Sequence, residues 1–173
     1  MKRLVLSAVL GGLIAYAYGA FSWMALPWHH QTLLGFKNEI ELSAVLHAGA
    51  PKAGVYLLPH ASRERWESPS MLAAVRPHAI KPNDARYYLR GLFVEIVGAF
   101  GLAVLLTMLP GIGYWKRVGV IATVALIAGL LTRLPDWNWW GFSASFTLLS
   151  CADLVIGWFL AGLVIAACAR PRS

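Results

Sequence analysis

The stretch WMALPWHHQTLLGF, Trp23–Phe36, closes an apolar run that begins at Leu4. A helix needs roughly 20 predominantly apolar residues to cross the hydrocarbon core of a bilayer, and the run from Leu4 to Leu26 meets that length. Pro27 then ends the helical pattern, and a tryptophan and two histidines follow at once. Interface physics accounts for this order. Proline breaks the helix, the amphipathic indole settles at headgroup depth, and imidazole meets water. Trp28, His29 and His30 therefore read as the collar of a membrane helix and, with Trp137, Trp139 and Trp140, as partner-interface candidates; the edge of a reactive or metal-binding site is the competing reading.

The rest of the chain agrees with a membrane setting. Its 173 residues are 58% hydrophobic and 13% charged, against about 25% charged in an average soluble domain. Much of the surface must therefore face something other than water. Four stretches are long and apolar enough to span, near 4–26, 89–109, 118–134 and 142–168. The predicted fold is an all-α membrane protein of four transmembrane helices. The first helix closes at residue 26, an extracytoplasmic segment of helical and irregular structure covers 27–88, the other three helices lie within 89–168, and a tail covers 169–173. Met1-Lys2-Arg3 before an apolar run also suits a signal peptide. The run continues through Phe21, Trp23, Met24 and Leu26, longer than a usual signal core, so a retained anchor is expected.

Orientation follows from lysine and arginine beside the helix ends. Lys2 and Arg3, Lys116 and Arg117, and Arg170 and Arg172 all fall on one side of a four-helix protein. That side is expected to be cytoplasmic, with both termini on it. Attraction to anionic lipid explains the net charge of +7 without a nucleic-acid partner. Trp137, Trp139 and Trp140 fall at the opposite interface, where aromatic rings concentrate; a ligand-binding aromatic box is the alternative for these three.

Helices in lipid associate through close packing of small residues and through polar contacts. Small residues recur four apart as Ser7, Gly11, Ala15 and Gly19 on the first helix. Gly91, Ala99 and Ala103 do so on the second with Glu95 between them, and Gly157 and Ala161 follow Asp153 on the fourth. Both acids thus lie on small-residue faces, and an acid inside a membrane points to function or to polar adhesion between helices. Asp153 lies about 16 Å from the outer end of its helix at 1.5 Å per residue. Depth counting puts Tyr16 and Thr123 at that level, so hydrogen bonds among these three are expected. Arg133, with Arg90 second, is the expected partner of Glu95.

The segment after Pro27 carries its own signals. Asn38 with Glu41 three residues on is a capping pattern for an amphipathic helix near 39–48, which Gly49 and Pro51 would end. Gly54–Pro59 reads as extended, and Ser68–Val75 as a short helix with Ser68 as cap and Pro69 in its first turn. All five histidines, 29, 30, 47, 60 and 78, lie here. Imidazole ligates zinc and copper, but gaps of 1, 17, 13 and 18 residues show no fixed ligand spacing, so no metal or other cofactor is expected. No nucleophile elbow frames a serine. Cys151 and Cys168 are about 25 Å apart along one helix and cannot pair within the chain.

The strings LPWHHQTLLGFKNE and APKAGVYLLP resemble a pattern in small, functionally uncharacterised bacterial four-helix inner-membrane proteins. In these a Leu-Pro-Trp-His turn ends the first helix, and an Ala-Pro-x-x-Gly-Val-Tyr stretch follows a short helix. The resemblance covers residues 21 to 59 and implies four membrane helices and a bacterial inner-membrane location; it brings no activity. The expected function is therefore a non-enzymatic accessory, assembly or scaffold component in contact with membrane lipid. Its outer segment would dock on its own bundle or on a protein partner, a second copy included. A small-ion or proton transporter using Glu95 and Asp153 is the alternative, and a metal-handling protein using the histidines is a second.

Overall fold

Four long helices and a small helix-and-hairpin segment make up the computed structural model, which describes residues 1–60, 70–76, 81 and 83–169. In chain order the elements are α1 (Lys2–Ala25), α2 (Trp28–Thr32), α3 (Glu39–Gly49), β1 (Gly54–Leu58), β2 (Met71–Val75), α4 (Ala85–Thr107), α5 (Tyr114–Trp140) and α6 (Ala144–Cys168). Helices α1, α4, α5 and α6 have 24, 23, 27 and 25 residues. Each is long and apolar enough to cross a membrane. Only 17–28% of the most apolar window of each is buried inside the protein, so most of their apolar surface faces outward. Water is a poor medium for that surface and lipid a good one.

The long helices form an arc. α1 packs on α4 and on α6, and α5 packs on α6, while the consecutive helices α4 and α5 make little contact with each other. Small residues set the seams. A Cβ on Gly12 would lie 2.6 Å from the Ile96 Cα, and one on Gly11 would lie 2.4 Å from Ile165 Cγ1. Two backbones can approach that closely only where a side chain is missing. The ladder read from the sequence continues differently, because Gly19 faces open space and Ser22 is the buried residue near the end of α1.

The α1–α6 contacts define an antiparallel register. Gly11 meets Ile165, Gly157 meets the Tyr18 ring, and Ser22 meets Asp153. Arg3 and Cys168 line one cavity, and the Arg117 guanidinium donates to the Ala169 carbonyl at 3.4 Å. The start of α1, the start of α5 and the end of α6 therefore share one end of the bundle, here the terminal end. The segment between α1 and α4 emerges from the other, the segment end.

Two sequence readings need correction here. The third span does not stop near residue 134: α5 runs through Pro135 to Trp140. Proline removes one N–H and crowds the preceding turn, but the chain reverses only at Gly141, whose φ of +76° lies in the left-handed region that glycine supplies cheaply. Nor is Ser68–Val75 a helix. Met71–Val75 pairs antiparallel with Gly54–Leu58, with Tyr56 opposite Ala73 and Leu58 opposite Met71. Five residues are too few for a stable isolated helix, and the exposed backbone of β1 offers them a partner. Ser68 and Pro69 lie outside the described residues. The segment is thus not purely helical and irregular but contains a two-stranded hairpin.

Candidate functional site

α1 ends where the sequence requires it. The residue before a proline is disfavoured in the α region, and Leu26 is extended at φ −94°, ψ 137°. The chain turns at Pro27 and forms the single turn α2, which lies against α6. This fold-back carries His29 into the protein, where it is 1% exposed.

His29 joins a polar knot with Ser22 from α1 and Asp153 from α6. The Ser22 hydroxyl donates to Asp153 Oδ1 at 2.5 Å, and Trp28 Nε1 donates to Ser22 Oγ at 3.0 Å. His29 Nε2 lies 3.0 Å from Ser22 Oγ and 3.5 Å from Asp153 Oδ2. A hydroxyl has one hydrogen and two lone pairs. The hydrogen is committed to Asp153, so both lone pairs accept, one from the indole and one from the imidazole. Nε2 therefore carries a proton, and Ser22 Oγ is fully used. Trp23 stacks on the imidazole, with ring centroids 4.0 Å apart and planes 9° from parallel, and Trp28 meets its edge. The Tyr18 hydroxyl approaches the same carboxylate without reaching hydrogen-bonding geometry, and His29 Nδ1 is buried with no partner among the described residues.

Serine, histidine and aspartate in contact invite comparison with a nucleophilic triad, but the connectivity differs. In a triad the carboxylate holds the imidazole nitrogen remote from the serine. Here Ser22 and Asp153 share Nε2, and Ser22 is wholly buried, so its hydroxyl cannot reach a substrate carbonyl. The arrangement fastens α1, α2 and α6 together. Ser22 Oγ, Trp28 Nε1, His29 Nε2 and the Asp153 carboxylate satisfy one another, and shared hydrogen bonds of this kind stiffen a buried site.

The expected partners of Asp153 are elsewhere. Tyr16 lies over Gly91 of α4, and Thr123 faces outward from α5, in a groove with Lys116. Depth counting failed because the helix ends are not flush. Asp153 is nine residues into α6, about 14 Å, yet its partner Ser22 is only three residues from the end of α1. α5 and α6 extend past the end of α1, and α2 folds back to cover the difference. Arg133 pairs with Asp136 at 3.7 Å rather than with Glu95. Glu95 is half-buried and has no hydrogen bond or ion pair among the described residues, Arg90 included. Its neighbour Ile96 meets Gly12, whereas Asp153 meets Ser22. The two acids are therefore separated by about 14 Å along α1.

His30 is exposed beside the buried His29, and His47 is exposed on α3. No three histidine, cysteine, aspartate or glutamate side chains come close enough to hold a metal among the described residues; His78 lies outside them. Trp137, Trp139 and Trp140 are all exposed near the end of α5 and form no aromatic box with one another.

Ser22 and Tyr18 were missed in the sequence. Ser22 lies seven residues after Ala15, itself seven after Ala8, and all three are buried. A polar residue at heptad spacing on a small-residue stripe was the available signal.

Fold and site together define the chain as a mostly helical protein with four helices long and apolar enough to cross a membrane. Compared with protein-family models, curated proteins and solved structures, the chain has no match.

Proposed function

We propose that this protein is a non-enzymatic component of a bacterial inner membrane that fixes the segment between α1 and α4 on its bundle and presents it to a protein partner. The observation that carries this reading is the Ser22–His29–Asp153 knot, which locks the root of the segment to α1 and α6. Beyond that root the segment exposes apolar side chains that the four long helices leave uncovered. Leu34 is 92% exposed, Ile40 87% and Val55 72%. Exposed apolar side chains mark an interaction surface where they are contiguous, and these three are the anchors the segment offers to a partner. Phe36, Leu42 and Leu46 on the α3 side and Val75 of β2 line a shared cavity of about 290 Å³.

Glu95 supports the same reading. A carboxyl group within a membrane span pairs with another polar group, and within this chain Glu95 has no such partner among the described residues. A helix of a partner would supply it. The basic residues at the terminal end put the termini in the cytoplasm by the positive-inside rule, with the segment on the opposite side.

Site-specific photocrosslinking in native membranes tests the proposal. A crosslinker at Ile40 or Val55 is expected to give one adduct of defined mass, lost on Leu34→Asp in a protein that keeps its knot. Absence of adducts at both positions overturns the reading, as does ion or proton flux in liposomes that Asp153→Asn abolishes.

A further inference from the structure

At the terminal end the bundle has a second feature, away from the knot at the segment end. α4 and α5 make little contact with each other, and the connection between them runs beside the first turns of α5. A groove of about 540 Å³ remains there, lined by Leu109, Ile112, Gly119, Val120 and Val124, with Thr123 far along it and Lys116 at its mouth. The walls are almost entirely apolar. Lys116 is exposed and forms no ion pair among the described residues.

We propose that this groove is a binding site for one anionic phospholipid, an acyl chain lying along Gly119, Val120 and Val124 and the phosphate on the Lys116 ammonium. Charge complementarity selects this occupant. Ile96 through Pro135 contains no acidic residue, and Lys2, Arg3 and Arg117 lie at the same end. Arg117 is buried and directed at the Ala169 carbonyl, the last turn of α6. Lys116, one residue away, is left to meet the headgroup. A basic residue near an anionic membrane surface contributes about 1 kcal/mol, and the apolar groove fixes which lipid molecule receives it. The inference rests on the helices crossing a membrane, but not on any partner at the segment end.

Native mass spectrometry of the full chain in mild nonionic detergent tests it, with phosphatidylglycerol and phosphatidylcholine of identical chains as probes. The wild type is expected to retain one phosphatidylglycerol under activation that strips phosphatidylcholine. Lys116→Gln is expected to lower retention about fivefold. Gly119→Leu places a side chain in the groove from a position where a Cβ meets nothing within 4 Å; it is expected to abolish retention while leaving thermal stability unchanged. Arg3→Gln removes the same charge outside the groove and is expected to leave retention intact. Equal retention of both lipids overturns the proposal. So does an equal loss in Arg3→Gln, which would mean bulk charge, or a dimer that Gly119→Leu dissociates, which would mean a second copy in the groove. Carbonate-resistant membrane association, measured alongside, separates failure of this site from failure of the membrane assignment.

Discussion

Ser22, three residues from the end of α1, donates its hydroxyl hydrogen to Asp153 in the interior of α6 at 2.5 Å. The bond joins the first long helix to the last across 131 positions of sequence, and it determines what else can join. With its hydrogen committed, Ser22 Oγ accepts from both Trp28 and His29. Residues in one such network do not contribute independently. Ser22→Ala is expected to cost about 1–3 kcal/mol, since it leaves buried polar groups unpaired. Asp153→Asn should cost a comparable amount, and the double variant less than the sum by about 0.5–3 kcal/mol. A double-mutant cycle from reversible unfolding in mixed micelles measures this. Simple additivity would mean that the two residues are not energetically coupled.

The same knot should control α2 selectively. α2 has a single turn and no side-chain cap, so its order depends on the His29 and Trp28 contacts. α3 carries its own start signal, with Asn38 Oδ1 accepting from the Glu41 amide and the two side chains bonded in return. Asp153→Asn is therefore expected to raise amide exchange across Trp28–Thr32 and leave Glu39–Gly49 near its wild-type rate. Mass-spectrometric hydrogen exchange reads both. A uniform rise along the whole segment would show that α3 is held through the knot as well.

The four long apolar helices were legible because length and apolarity are read directly from the residues. The first ended within a residue of its predicted limit because Pro27 states the boundary chemically. The start of α3 was legible for the same kind of reason, since Asn38 and Glu41 are a local signal. The partners of Asp153 were not legible. Their level depends on how far each helix projects past its neighbours, and composition says nothing about that. Strand β2 was hidden because Met71–Val75 has no intrinsic strand alternation; it becomes a strand through pairing with Gly54–Leu58. The His29 imidazole was expected to meet water at the helix exit; it is instead 1% exposed, because α2 folds back against α6.

The α1–α4 seam should be more sensitive to one methyl group than to most larger changes. A Cβ on Gly12 would meet the backbone of α4, at 2.6 Å from Ile96 Cα and 2.7 Å from its nitrogen. No rotamer relieves a backbone contact, so the helices must separate. Gly12→Ala is expected to destabilise by about 1–3 kcal/mol, the usual range for overpacking. Gly19→Ala on the same helix meets nothing within 4 Å and is expected to be neutral or slightly stabilising, since alanine is the better helix former. Thermal unfolding of the two variants in one detergent makes the comparison. Equal stability would mean that α1 and α4 approach less closely at Gly12.

The start of α4 should respond to acid through a single residue. Asp84 Oδ1 accepts from the Arg86 amide at 3.0 Å, and the carboxylate also receives the Arg86 guanidinium, at 2.9 Å from Nε and 2.7 Å from Nη2. The Arg86 side chain, aided by the Arg86 amide, holds the Asp84 carboxyl below its ordinary range, which lies near 3.9 in an unfolded chain. Folded Asp84 therefore binds its proton less readily than unfolded Asp84. Its contribution is fully present above the unfolded pKa and is lost as the pH falls through the folded one. Exchange protection of the first turn of α4, corrected for intrinsic rates, is expected to be flat from neutral pH to about 5 and to fall in more acidic buffer. Asp84→Asn keeps a capping oxygen but loses the ion pair. Its protection should start lower and stay level over the same acidic range. An acid-dependent loss of equal size in Asp84→Asn would assign the effect to another group.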